Sequence, residues 1–219
     1  MTDFAAARRH MVDGQVRTAD VTDLRIISAM LEVARERFMP PQAAGVAYLD
    51  LGLNLKDAGA PGRSLLKPMV LAKLIQAADI APDAKVLVVG CATGYSAAVL
   101  ARIAGQVVAL EQDAKLAPTA QATLAGQPNI TVVKGALVEG FANAAPYDAI
   151  LIDGAAEELP EALARQLKDG GRLVCVLGEF PGACAMLYRK SGGELSGRAI
   201  FDASASVLPG FAKAPVFAF

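Results

Sequence analysis

Tryptophan is missing from this 219-residue chain, histidine occurs once and cysteine three times. The lone His10 lies among charged residues near the start of the chain, which predicts a solvent-facing helix position. A mechanism resting on a histidine base or a His-rich metal centre therefore has no support, and no metal site is expected. Cys91, Cys175 and Cys184 are odd in number and contain no C-x-x-C pair. That argues against a disulfide framework and against a zinc ribbon. Cys175 and Cys184 fall in apolar runs and are expected as buried, inert thiols, whereas Cys91 falls inside a glycine-rich turn. Charge of one sign is also lacking: 21 basic and 22 acidic residues leave a net charge of −1. With aromatics at 5%, the counterion-release term that drives nucleic-acid binding has no source, so no nucleic-acid partner is expected. No run approaches the roughly 20 apolar residues that span a bilayer. The charged start (Asp3, Arg8, Arg9, Asp13) contains no secretory apolar stretch. The expectation is a cytoplasmic protein with no membrane association.

What is present is apolar and small. Hydrophobic residues make up 54% of the chain, mean hydropathy is +0.39, and 44 residues are alanine. Disorder is excluded, and the core is expected to bring backbones close together with few large anchors. One domain over residues 1–219 is expected, with a helical region at 1–80 and a core at 81–219.

The first part reads helical. Phe4 to Arg17 and Asp23 to Arg35 carry apolar residues at helical spacing, with Thr22 available to cap the second helix. Leucine at every second position from Tyr48 to Leu55 predicts a strand with one buried face. Asp57 to Ser64 is broken by Gly and Pro into a loop, and Pro68 suits the first turn of the helix that follows.

Beyond Pro82 the pattern alternates. Continuous apolar runs at 85–89, 107–110, 130–133, 147–152 and 172–177 are separated by helical stretches at 96–104, 113–124 and 160–167. Strands buried on both faces and alternating with helices mean a parallel sheet with right-handed crossovers. The segments 183–189 and 194–201 flank Ser191-Gly192-Gly193 and read as an antiparallel hairpin. The expected fold is α/β: a Rossmann-like, doubly wound and mostly parallel sheet with a helical N-terminal extension and an antiparallel C-terminal hairpin.

The segment Val89-Gly90-Cys91-Ala92-Thr93-Gly94-Tyr95-Ser96 follows the first strand of that series and opens a helix. Ligands of such sheets bind at the carboxyl ends of strands beside the switch in strand order. Glu111 ends the next strand, where a carboxylate can accept hydrogen bonds from both hydroxyls of a ribose. The dinucleotide fingerprint places its last glycine where this chain has Tyr95. Small residues instead fall at Gly90, Ala92 and Gly94, a spacing that suits S-adenosylmethionine, which has no pyrophosphate.

Met11-Val12-Asp13-Gly14-Gln15-Val16-Arg17, Arg35 to Pro40, Ala47 to Asp50, Gly90 to Ala101 and Leu163 to Leu173 together resemble the protein-L-isoaspartate O-methyltransferases, in the family's order. The resemblance implies the methyltransferase fold and a carboxyl O-methyltransferase. Such an enzyme moves a methyl group from S-adenosylmethionine to the carboxylate of isoaspartyl residues in damaged proteins or peptides. It implies that Gly90, Ala92 and Gly94 approach the cofactor, that Glu111 holds the ribose, and that Ala136 and Leu137 line the adenine. The family's substrate loop reads Gly-Gln-Thr-Ile-Ser-Gln-Pro, and here it is Gly62-Arg63-Ser64-Leu65-Leu66-Lys67-Pro68. Ser64 takes the Thr position and is the candidate catalytic residue, while Leu66 replaces the Ser tied to catalysis. Arg63 and Lys67 are candidates to pair with a carboxylate, beside plainer surface or structural roles. Val88, Ala92 and Ala136 stand where the family has acidic, glycine and aspartate residues. Asp153 stands where it has a small or hydroxylated one, and reads as a helix cap or a new acid-base group. These replacements leave two further readings open. One is a relative with weak or no cofactor binding that acts through protein contacts, and the other is a methyltransferase with a different acceptor.

Overall fold

The computed structural model describes residues 3–178 and 181–213. The N-terminal region is helical. Helix α1 (Phe4–Met11) is capped by the Asp3 carboxylate, which accepts from the Ala6 N–H. It runs on without a break through a wider turn at Val12–Val16 and a tighter one at Arg17–Ala19. Helix α2 (Leu24–Glu32) is capped by Asp23, which accepts from the Arg25 N–H, and not by Thr22. A carboxylate at that position also neutralises the positive end of the helix dipole.

The leucine alternation at 48–55 does not form a strand of that length. Only Leu53–Asn54 (β1) pairs, antiparallel, with Ser64–Leu65 (β2). Leu49 and Leu51 are exposed, and among the described residues no strand pairs with them to cover that face. Pro68 opens α3 (Pro68–Ala78), where a missing N–H costs nothing.

The core alternates as its apolar runs require. In chain order come β3 (Lys85–Val89), α4 (Tyr95–Leu100), β4 (Gln106–Glu111), α5 (Leu116–Thr123), β5 (Ile130–Lys134), β6 (Tyr147–Ala156), α6 (Glu161–Gln166), β7 (Leu167–Leu177), β8 (Cys184–Ser191) and β9 (Glu194–Asp202). The main sheet has the order β5-β4-β3-β6-β7-β8-β9. Pairings from β5 through β7 are parallel, and β8 and β9 finish the sheet as an antiparallel meander. Strand β3 is thus flanked by β4 and β6, and the chain reverses its direction of travel across the sheet there.

Both faces of the central strands are dry. Val86, Val88, Val107, Ala109 and Leu151 face a cluster with α3, α4 and the N-terminal helices. Leu87, Val89, Val108, Leu110 and Ile150 face a second cluster with Leu163, Leu208 and Phe211. Burying each such Val, Leu or Ile contributes about 1.5–3 kcal/mol. Alanine serves this packing: Ala72, Ala97, Ala109 and Ala120 are all fully buried, so helices approach the sheet closely. Cys175 is buried as expected, but Cys184 is only half-buried because it starts the outer hairpin. Among the described residues, no helix is long and apolar enough to cross a membrane.

Candidate active site

The carboxyl ends of β3, β4 and β6 place Gly90, Glu111 and Asp153 side by side. The turn after β3 reverses on three left-handed residues, Gly90 (φ 78°), Ala92 (φ 52°) and Gly94 (φ 102°). Two are glycine, which takes this conformation freely, whereas Ala92 holds it against its own Cβ. What holds it is a hydrogen bond: the Ala92 N–H donates to Glu111 Oε2 at 2.8 Å.

Glu111 is fully buried and accepts from five donors. Three are backbone N–H groups, those of Ala92, Gln112 (2.9 Å) and Asp113 (3.0 Å). The other two belong to Arg63, whose Nη1 donates to Oε1 at 2.7 Å and Nη2 to Oε2 at 2.8 Å. Arg63 Nη2 also donates to the Gly90 carbonyl at 3.1 Å. Burial alone would pull the Arg63 guanidinium down, but its hydrogen bonds to Glu111 and that residue's charge outweigh it and raise it above its ordinary value. The planar fork matched to a carboxylate is the strongest form of this contact.

A second group covers the turn. Ala155 N–H donates to the Ser206 carbonyl, Leu208 N–H to the Ala155 carbonyl, and Glu157 N–H to the Phe211 carbonyl, all at 2.9 Å. These bonds stitch the segment after β9 across the end of β6 and drive Leu208 into the fold. A Cβ on Gly90 would meet Leu208 at 2.8 Å, and one on Gly154 would meet it at 2.6 Å.

Asp153 is not a helix cap. It lies within β6, where the register with β7 slips between Leu151 and Ala155, and it is buried. It accepts from Ser96 Oγ on α4 at 2.5 Å. Burial pushes its carboxyl up to about 6, against the Ser96 hydrogen bond and the charges of Arg63 and Arg35, which favour the ionised form. Cys91, in the same turn, is buried and its thiol is pushed up by burial and by Glu111 and Asp153.

The loop ahead of α3 is fixed from beneath. Arg35 is fully buried, donates Nε to the Ala47 carbonyl at 2.9 Å and Nη2 to the Leu66 carbonyl at 2.7 Å, and stacks on Tyr95 at 4.5 Å. Leu66 is therefore anchored through its backbone, with its side chain buried. Ser64 Oγ lies 3.0 Å from Ser206 Oγ, half-buried at the rim. Lys67 lines a separate cavity of about 350 Å³ with Asp202 and Ser204. Beyond β5, Ala136 is exposed and Leu137 buried, and the Leu137 N–H meets Gln112 Oε1 at 3.3 Å.

A family model described as protein-L-isoaspartate(D-aspartate) O-methyltransferase matches residues 6–203. The chain belongs to the protein-L-isoaspartate O-methyltransferase family. A relative of that name from Koribacter versatilis is 38% identical over 197 residues, 89% of this chain and 87% of its own length. Another from Methylorubrum extorquens is 40% identical over 186 residues, 84% of this chain and 79% of its own. A solved protein-L-isoaspartate O-methyltransferase superposes with a TM-score of 0.81 at 26% identity, covering 93% of this chain and 66% of that one. A second, from Plasmodium falciparum and described as a complex with S-adenosyl-L-homocysteine, shares the fold with a TM-score of 0.74 at 18% identity, covering 95% and 99%.

Within this member of the family, the structure brings together Gly90, Ala92, Gly94 and Glu111, and leaves Ala136 and Leu137 at the edge of that group. Arg63 was legible only as a residue able to pair with a carboxylate. Its partner is a residue of the chain itself, and nothing in the local sequence signals that pairing. In the conformation seen, the ribose of a nucleoside cofactor does not fit, because both Glu111 oxygens are saturated, two of their five donors coming from Arg63.

Proposed function

We propose that this protein transfers a methyl group from S-adenosylmethionine to the carboxylate of isoaspartyl residues in damaged proteins or peptides. The observation that carries the reading is the family match over residues 6–203, together with 38–40% identity to relatives of that name across most of both chains. The cofactor supplies a methyl group activated on a sulfonium. The acceptor carboxylate is ionised at neutral pH, so the reaction asks the protein for alignment and exclusion of water more than for a base. That demand agrees with a chain whose only histidine, His10, is exposed.

In this reading Glu111 accepts from the ribose hydroxyls once it is free to do so. The Gly90–Gly94 turn presents backbone to the cofactor, and Ala136 and Leu137 border the adenine. Ser64 is the hydroxyl on the substrate loop that orients the acceptor, since Leu66 offers no side-chain donor. The test is transfer of labelled methyl from S-adenosylmethionine to a peptide containing one isoaspartyl residue, beside the same peptide with aspartate. Label on the isoaspartyl peptide alone is expected. Binding of the cofactor without transfer to that peptide would assign another acceptor.

A further inference from the structure

We propose that Arg63 is a built-in competitor for the cofactor, so that the protein rests with its ribose acceptor occupied and binds cofactor only when this side chain swings out. The inference rests on the methyltransferase reading above and adds to it a residue that sets cofactor affinity.

The argument is a count of donors at one carboxylate. Glu111 has about four lone-pair sites. Oε1 accepts from Arg63 Nη1, Gln112 N and Asp113 N, and Oε2 from Arg63 Nη2 and Ala92 N. A ribose diol brings two donors and needs two places. Three of the present donors are backbone groups of the turn and of the end of β4, and they cannot leave without unmaking both. The two on Arg63 are the ones a side-chain rotation removes, and they match in number what the ribose brings.

Arg63 is also placed to move. It ends a loop, between β1 and β2, whose residues Lys56, Asp57, Pro61 and Gly62 are exposed. Its Nε is buried without a partner among the described residues, so the resting pose leaves one of its donors unsatisfied. It lines a cavity of about 500 Å³ bounded also by Gln112, Asp113, Val207 and Pro209, the space into which the side chain turns when it leaves its buried resting pose. Leu208, the other group over Gly90, is held by three backbone hydrogen bonds of its segment and stays. When Arg63 leaves, Glu111 keeps its three backbone donors, and the guanidinium regains water. The apparent affinity for cofactor is then the intrinsic affinity reduced by the fraction of molecules with Arg63 out.

The experiment is calorimetric titration of the full chain with S-adenosylhomocysteine, comparing the parent with Arg63→Gln, folding being checked by circular dichroism. The variant is expected to bind at least tenfold more tightly. The gain should appear with adenosine and vanish with 2′,3′-dideoxyadenosine, which has no hydroxyls to offer Glu111. If Arg63→Gln does not fold, Arg63→Lys removes the fork while keeping the charge, and a severalfold gain is expected. A folded variant that binds no more tightly than a binding parent overturns the competitor role and leaves the methyltransferase reading standing. Absence of binding by parent and variant alike at millimolar ligand overturns both.

Discussion

Arg63 and Glu111 meet fork to fork in the dry interior, 2.7 and 2.8 Å apart, with 5% and 0% of their side chains exposed. Two charges so buried are stable only together, since the cost of taking each from water is met by the other and by the surrounding N–H groups. The two ends of the pair are not equivalent. Among the described residues, Glu111 has three backbone donors besides Arg63, whereas the Arg63 side chain has only the Gly90 carbonyl besides Glu111.

That asymmetry predicts unequal damage. Glu111→Gln strands the guanidinium and is expected to lower stability by about 3–5 kcal/mol. Arg63→Gln leaves a carboxylate still held by backbone and is expected to cost less. The double variant should lose less than the sum of the two, which urea denaturation of all four proteins will measure. Additive losses would mean that the two side chains do not interact in solution.

Asp153 predicts a pH dependence with a defined sign. Its carboxyl is raised from 3.8 to about 6 in the fold, so the folded chain binds this proton more tightly than the unfolded chain. The stability it contributes is therefore fully present below about pH 4 and is lost as pH rises through 6, a loss of about 3 kcal/mol. Asp153→Asn keeps an acceptor for Ser96 and removes the charge. Relative to the parent, its stability is expected to rise by about 3 kcal/mol between pH 3 and pH 7.5 in denaturation curves. A gap that stays constant with pH would show that Asp153 titrates as it does in water.

Leu208 and Gly154 offer a complementary pair. Leu208→Ala should cost about 2–5 kcal/mol through the cavity it leaves. Gly154→Ala should cost about 1–3 kcal/mol, because its new Cβ would lie 2.6 Å from a Leu208 methyl. Combining the two should restore part of the loss in thermal melts, since the smaller side chain vacates the space the methyl needs. Failure of that rescue would place Leu208 elsewhere in solution.

Ser64 is the expected hydroxyl at the acceptor. A hydrogen bond to a charged group contributes about 1.5–3 kcal/mol. Ser64→Ala should therefore lower kcat/KM for an isoaspartyl peptide by roughly ten- to a hundredfold, with S-adenosylhomocysteine affinity unchanged. Ser206→Ala removes the resting partner and should have a much smaller effect. Equal losses in the two variants would assign the pair a structural role only.

Local pattern carried most of the fold. The apolar runs at 85–89, 107–110 and 147–152 are strands because burial on both faces leaves no polar alternation to mistake, and the turn after β3 is marked by its own glycines. Pattern failed where the outcome depended on a neighbour. Leucine spacing at 48–55 looks like a half-buried strand, but a strand needs a partner, and only Leu53–Asn54 found one. Thr22 and Asp23 are both good caps, and which one acts is set by where the helix enters the packing. Asp153 reads as a cap next to a helix because the length of β6 and its slipped register are not written locally.

The amino-acid sequence by itself determined the alternating core, the glycine turn, the acidic end of β4 and the family, because each rests on neighbours in the chain or on motifs in order. Only the tertiary structure decided what Glu111 touches. Arg63 lies 48 positions away along the chain, and it meets Glu111 because the β1–β2 loop folds over the carboxyl ends of β3 and β4. Pairing of two buried charges is a property of distance in space, and no pattern of nearby residues encodes it.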